Sequence, residues 1–165
     1  MIFSLLITLK TEQLILLSLF FKSIKSFIIC PIPHKQEKGS SMTDKNILDL
    51  CKEGINAWQK AFNNQDAVGC AAQYTENCTM EAKPLGTFKG REEILECWTN
   101  IIVQGFAEVK YSNVNWELAP GGGYILTSSW EMNKAFGVVH REHWIVEQDG
   151  KARLKSDSFE IQGEK

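Results

Sequence analysis

The sequence predicts an α+β domain in which helices come first and a mostly antiparallel sheet follows. Two observations carry that prediction. The apolar periodicity is 3.6 as far as Gly105 and 2 beyond it, and the second half is divided by Pro120-Gly121-Gly122-Gly123, by 133–136 and by Asp149-Gly150, where strands must end. Helices followed by a meander, without βαβ alternation, make an α+β domain. The 165 residues are enough for one core and too few for two of ordinary size.

Ile47, Leu48, Cys51, Ile55, Trp58 and Phe62 form the apolar stripe of a helix over about 44–63, closed by Asn63-Asn64. Asp66 then caps a short helix of small residues over 67–74, with 75–77 as a turn. Cys78 to Ala82 alternates as a short strand, broken by Pro84-Leu85-Gly86. Arg91-Glu92-Glu93 opens a third helix with acids in its first turn, Ile94, Leu95, Trp98, Ile101 and Ile102 on its buried side, and Gly105 as its stop. Strands are expected at about 106–118, 124–133, 137–147 and 152–161, the last two joined by a two-residue turn at Asp149-Gly150.

Residues 1–41 read differently. They are rich in Ile, Leu and Phe without helical polarity, and charges interrupt them. Their longest uncharged apolar stretch, 13–21, falls short of the roughly 18–20 residues that span a bilayer. A basic start and an A-x-A-like cleavage site are both missing. Met42-Thr43-Asp44 reads as the start of the domain, so 42–165 is the domain and 1–41 an extension, either upstream sequence or a targeting segment. Without the extension 124 residues remain, with 13 basic and 18 acidic side chains, a net −5.

That charge offers no footprint for nucleic acid, and nothing in 42–165 suggests a membrane. The five cysteines include no C-x-x-C pair, which favours free thiols, a reducing cytoplasmic setting and no structural zinc. There is no Walker loop, no G-x-G-x-x-G and no G-x-S-x-G, so no cofactor is implied.

The order of elements, with A-W-Q-K-A-F-N-N-Q-D, Y-T-E-N-C-T-M-E-A, P-L-G-T-F-K-G-R-E-E-I and the final D-G hairpin, resembles the nuclear transport factor 2-like superfamily, which includes SnoaL-like and ketosteroid isomerase-like domains. The resemblance spans about 44–161. It implies a cone-shaped domain with three N-terminal helices packed on a curved sheet, an apolar pocket in the cone, and a homodimer. Members include isomerases, cyclases, dehydratases and binding proteins, so fold leaves function open. Against the isomerases, Trp58 stands in the place of the oxyanion Tyr, Ala82 in that of the catalytic Asp, and Glu142 in that of the protonated Asp. Ala82 takes no proton, which argues against steroid isomerisation. The cyclases are similar in a His and an Asp fourteen residues apart on the last two strands, as are His143 and Asp157.

Candidate catalytic residues are therefore Asp157, Glu142 and His143. Asp157 shares its face with Phe159 and Ile161, where a buried acid titrates high. A two-residue turn at 149–150 pairs it with Glu142, and a one-residue shift pairs it with His143. Strict alternation puts Glu142 with His140 and Trp144. The bland reading makes Asp157 a salt-bridged surface acid and the histidines surface residues. Trp58, Tyr74, Met80, Trp98, Trp130, Met132 and Phe159 are candidate ligand-binding residues, as apolar wall or plain core. Two functions follow: a module binding a small hydrophobic molecule, or a cofactor-independent enzyme moving protons on a small hydrophobic carbonyl compound. A chain beginning at Met42 is expected to melt at the same temperature as all 165 residues; a lower melting point or lost solubility would place the extension in the core.

Overall fold

The computed structural model describes residues 43–165; the reading of 1–41 as an extension lies outside them. The elements are α1 (Asp44–Asn63), α2 (Ala67–Ala71), β1 (Tyr74–Lys83), β2 (Gly86–Lys89), α3 (Gly90–Val103), β3 (Lys110–Leu118), β4 (Tyr124–Glu131), β5 (Ala135–Val146) and β6 (Ala152–Glu164). The strands form one sheet in the order β2-β1-β6-β5-β4-β3. Only β1 and β6 run parallel, so the sheet is mixed but mostly antiparallel. Helix α1 lies against β4, β5 and β6, and α3 against β1 and β2.

Local chemistry sets the helix starts. The Thr43 hydroxyl accepts from Asn46 N at 3.3 Å, and Asp66 Oδ1 accepts from Gly69 N at 2.8 Å, the N-cap expected at 66. Glu93 reaches back to accept from Lys89 N at 2.6 Å, so α3 is capped from within its own first turn. The apolar stripe of α1 is buried at Cys51, Ile55, Trp58 and Phe62.

Two boundaries differ from the sequence reading. Helix α2 ends at Ala71, and Tyr74 opens β1 where a helix end and a turn were expected. Aromatic Tyr and β-branched Thr at 74–75 favour a pleated strand, and both are buried there. Gly86–Lys89 is a short strand hairpinned onto β1, with Met80 opposite Phe88.

The β5–β6 connection also departs from expectation. Gly150 N donates to Glu147 O and Glu147 N to Lys151 O, both at 3.0 Å, and Gly150 has φ +78°. The loop is thus three residues, 148–150, with Gly150 in the left-handed conformation, one longer than a two-residue turn. Trp144 accordingly pairs with Leu154. Lys155 is then an extra residue in β6, so His143 pairs with Ser156 and Glu142 with Asp157. The longer loop and the bulge cancel, and the 142–157 pairing holds for a reason other than turn length.

A second bulge lies at His140 in β5: Val139 pairs with Phe159, but Arg141 with Ser158. It breaks the alternation that had grouped His140 with Glu142. His140 is exposed and bonds Glu160 Oε2 at 2.8 Å, while Val139, Glu142 and Trp144 are buried.

The Trp144 ring presses on α1 at Gly54, where an added Cβ would lie 2.6 Å from Cζ3 and 2.9 Å from Cε3. Glycine in a helix interior normally gains up to about 1 kcal/mol on replacement by Ala. Here Gly54→Ala is expected to destabilise instead, by about 1–3 kcal/mol as overpacking does. Urea denaturation checks the sign, and a stabilised variant would refute this packing.

Candidate functional site

Beneath α1 and α3, the side chains of β1 and β3–β6 enclose a cavity of about 20 Å³. Its lining includes Trp58 from α1, Tyr74 from β1, Trp98 from α3, Tyr111 from β3, Trp130 from β4, and the acids Glu142 and Asp157. The two acids are cross-strand partners, 4% and 5% exposed. Adjacent antiparallel partners on one face bring their side chains together.

Each acid holds one hydrogen bond from a ring. Tyr74 Oη donates to Asp157 Oδ2 at 2.9 Å, and Trp144 Nε1 donates to Glu142 Oε2 at 2.9 Å. Asp157 Oδ1 has no partner among the described residues, nor do the buried indole nitrogens of Trp58, Trp98 and Trp130 or the hydroxyl of Ser128. Unpartnered buried polar atoms are rare enough in folded proteins to need a reason.

Burial decides the protonation of the pair. It pushes the Asp157 carboxyl up to about 7, against the Tyr74 hydrogen bond, which favours the carboxylate. Glu142 is raised well above the usual carboxylate range by burial first and the Asp157 charge second, while the Trp144 N–H pulls it back. Tyr74, raised by the same burial and by Asp157, stays a neutral donor. Both carboxyls are raised by burial and sit opposite one another, so they titrate as a pair that shares protons toward neutrality. Such a pair can give a proton to one atom and take one from another.

Of the residues singled out from sequence, Trp58, Tyr74, Trp98, Trp130, Met132, Phe159, Glu142 and Asp157 all line this cavity. Met80 is fully buried beside it, its sulfur 3.6 Å from Tyr74 Oη. His143 does not join them. It alternates onto the opposite face of β5, and its Nε2 lies 3.0 Å from Gly122 O in the β3–β4 loop, so the fourteen-residue spacing to Asp157 brings nothing together. Tyr111, Val109 and Val139 belong to the lining and were not anticipated. Tyr111 could have been found from its register, opposite Trp130. No cluster of three or more His, Cys, Asp or Glu side chains suited to a metal forms among the described residues.

A second, larger cavity of about 270 Å³ lies on the other side of Trp98, Trp130, Met132 and Phe159, which line both. Its remaining walls include Leu85 in the β1–β2 turn, Ile101 in α3, Phe106, and Ile161 in β6. The rim is braced: Asn133 accepts from Ala107 N and donates to Gly105 O, both at 2.9 Å, and Lys134 Nζ sits 5.6 Å from the Phe106 ring centre.

No family model matches this sequence, and no curated protein sequence is similar to it. Solved structures are similar in fold. ActVI-ORFA from Streptomyces coelicolor superposes with a TM-score of 0.60 at 15% identity, covering 70% of this chain and 97% of that one. A ketosteroid isomerase-like protein from Erwinia carotovora atroseptica gives 0.59 at 13% identity, over 70% and 96%. A protein of unknown function with a cystatin-like fold from Nostoc punctiforme gives 0.56 at 15% identity, over 73% and 94%. At such identities what is shared is the architecture: this chain has a cystatin-like α+β fold.

Proposed function

We propose that the domain binds a small, mostly apolar carbonyl compound and moves a proton on it with Asp157 and Glu142, without a cofactor. The observation that supports this is the buried acid pair itself, with Asp157 Oδ1 unpartnered beside an aromatic cavity. An enclosed acid titrating near neutrality suits a general acid or base. Asp157 as carboxylate takes a proton from the carbon next to the carbonyl. The C–H electron pair becomes the enol double bond, and protonated Glu142 gives its proton to the carbonyl oxygen. Where a C=C bond is conjugated with the enol, return of a proton at its far carbon isomerises the compound; where the same molecule carries a second carbonyl, attack of the enol carbon on it closes a ring and the second carbonyl oxygen takes up a proton.

A second reading is a binding module without chemistry. It is favoured by Ala82, fully buried and apolar where the isomerases it resembles carry their catalytic acid, and by an inner cavity with room for one water-sized group.

Asp157→Asn separates the two. The proton-transfer reading requires that any turnover found by screening enolisable ketones disappears in the variant; unchanged turnover would refute it. The variant also has a thermodynamic signature. Asp157 titrates higher folded than unfolded, so its contribution is fully present below about pH 4 and is lost as pH rises toward 7. The unmodified protein is therefore expected to melt at a lower temperature at pH 8 than at pH 5, by ~3 kcal/mol of stability or less. Asp157→Asn is expected to shrink that fall and to be the more stable form at pH 8. An unchanged pH profile would mean that the acid is not enclosed.

The same proposal includes a cytoplasmic homodimer. Cys51, Cys70, Cys78 and Cys97 are free and buried, as suits a reducing compartment, and no helix among the described residues is long and apolar enough to cross a membrane. Ile125, Val138 and Ile145 are half-buried on the sheet face turned away from the helices, a small apolar seam to be covered by a second copy. Sedimentation is expected to show a dimer at micromolar concentration, and a monomer alone would exclude it.

A further inference from the structure

Tyr74 reaches Asp157 from beyond an irregularity in β1. The parallel pairing of β1 with β6 runs regularly from Thr79 opposite Ser156, and Met80 is the residue opposite Asp157. Before that the register breaks: Tyr74 pairs with Leu154, so residues 75–78 of β1 stand against Lys155 alone. A ladder interrupted in this way does not by itself fix the Tyr74 ring, yet its hydroxyl donates to Asp157 Oδ2 at 2.9 Å. Leu154 N ties the residue before it, donating to Gln73 O at 2.8 Å. The hold on Tyr74 itself comes from α3. Arg91 donates to Tyr74 O from Nε at 3.1 Å and from Nη2 at 2.7 Å, and its Nη1 pairs with Glu76. Gly90, with φ +75°, lets α3 begin close to this segment: an added Cβ would lie 3.4 Å from Glu76 O.

We infer that Arg91 is a positioning residue for the acid pair: its fork on the Tyr74 carbonyl holds the Tyr74 hydroxyl on Asp157 from outside the cavity. This rests on the proposed function of the pair and adds a residue that does not line the cavity. Among the described residues, Tyr74 Oη gives the Asp157 side chain its only hydrogen bond. That bond favours the carboxylate against burial. The other titratable groups facing Asp157 are Cys78 from β1, Glu142 from β5, Tyr111 from β3 and Cys97 from α3, and none is a cation. Placement of the phenol is therefore what sustains the ionised form of this acid. A two-point grip on a carbonyl sets direction as well as distance, which an ammonium in the same place does not. Without the grip the irregular 74–78 segment relaxes, the phenol draws back, and Asp157 titrates higher.

Carboxyl carbon NMR titration of Asp157 in the full-length chain tests this, its signal assigned by absence in Asp157→Asn. Tyr74→Phe removes the hydroxyl and keeps the ring, and is expected to move the Asp157 midpoint upward from about 7. Arg91→Met is expected to move it in the same direction, and to add nothing in the Tyr74→Phe background, because it acts through that hydroxyl. Arg91→Lys keeps the charge without the fork and is expected to leave most of the upward shift in place. It is also the milder change, so it decides the matter should Arg91→Met fail to fold. An unmoved midpoint in Arg91→Met, whatever the loss in melting temperature, overturns the inference, since a merely structural ion pair changes stability alone. Full recovery of the midpoint in Arg91→Lys, or an equal further shift in the Tyr74→Phe background, overturns it too, because the guanidinium would then act on Asp157 as a distant charge. The titration reads the carboxyl and not turnover, so inactivity toward every enolisable ketone counts against the proton-transfer reading and leaves the role of Arg91 standing.

Discussion

Two single-residue bulges, at His140 in β5 and Lys155 in β6, are the constraint on which the site depends. Without the first, alternation from Val139 would carry Arg141 and His143 to the helix side and turn Glu142 and Trp144 outward. Without the second, alternation from Leu154 would put Ser156 and Ser158 inside in place of Asp157 and Phe159. A slip of one residue exchanges the two faces of a strand. The bulges make that exchange midway along each strand, so the turn-proximal ends pack Trp144 and Leu154 and the distal ends still face the core. Bulges re-aim side chains next to functional sites, and here two act in concert on adjacent strands.

The consequence is electrostatic. Among the described residues neither acid has a cationic partner, and their hydrogen bonds come from neutral rings, Tyr74 and Trp144. Burial without a counter-charge favours the protonated form, which is the direction of both shifts. Arg153 in β6 pairs instead with Glu147 and Asp149, and Lys165, just beyond β6, with Glu131. The sheet thus segregates its ion pairs to solvent and leaves the two acids in the interior.

Periodic features were legible in the sequence. The α1 stripe, the Asp66 cap, the strands of the second half and the aromatic lining follow from spacing and residue type, because helix period and strand period are local properties of the chain. Tyr74 was misplaced because small residues continue a helix as readily as they end one, and the strand that claims it is fixed by pairing with β6. His140 was grouped with Glu142 for a related cause: a bulge is a property of two strands in register, and one strand's composition does not announce it. Glu142 against Asp157 was anticipated although its stated cause, a two-residue turn, was wrong.

The unpartnered groups bear on why the interior is built this way. A buried donor or acceptor left without a hydrogen bond costs on the order of 1–3 kcal/mol. Three indole N–H groups and Asp157 Oδ1 occur among residues lining one small cavity, so the cost is concentrated in one place. Phenylalanine at those positions would pack similarly and avoid much of it. A fold stable by only about 5–15 kcal/mol does not keep such a concentration for packing alone. A polar guest removes the penalty by supplying the missing partners, and the acid pair can match a guest that donates or one that accepts.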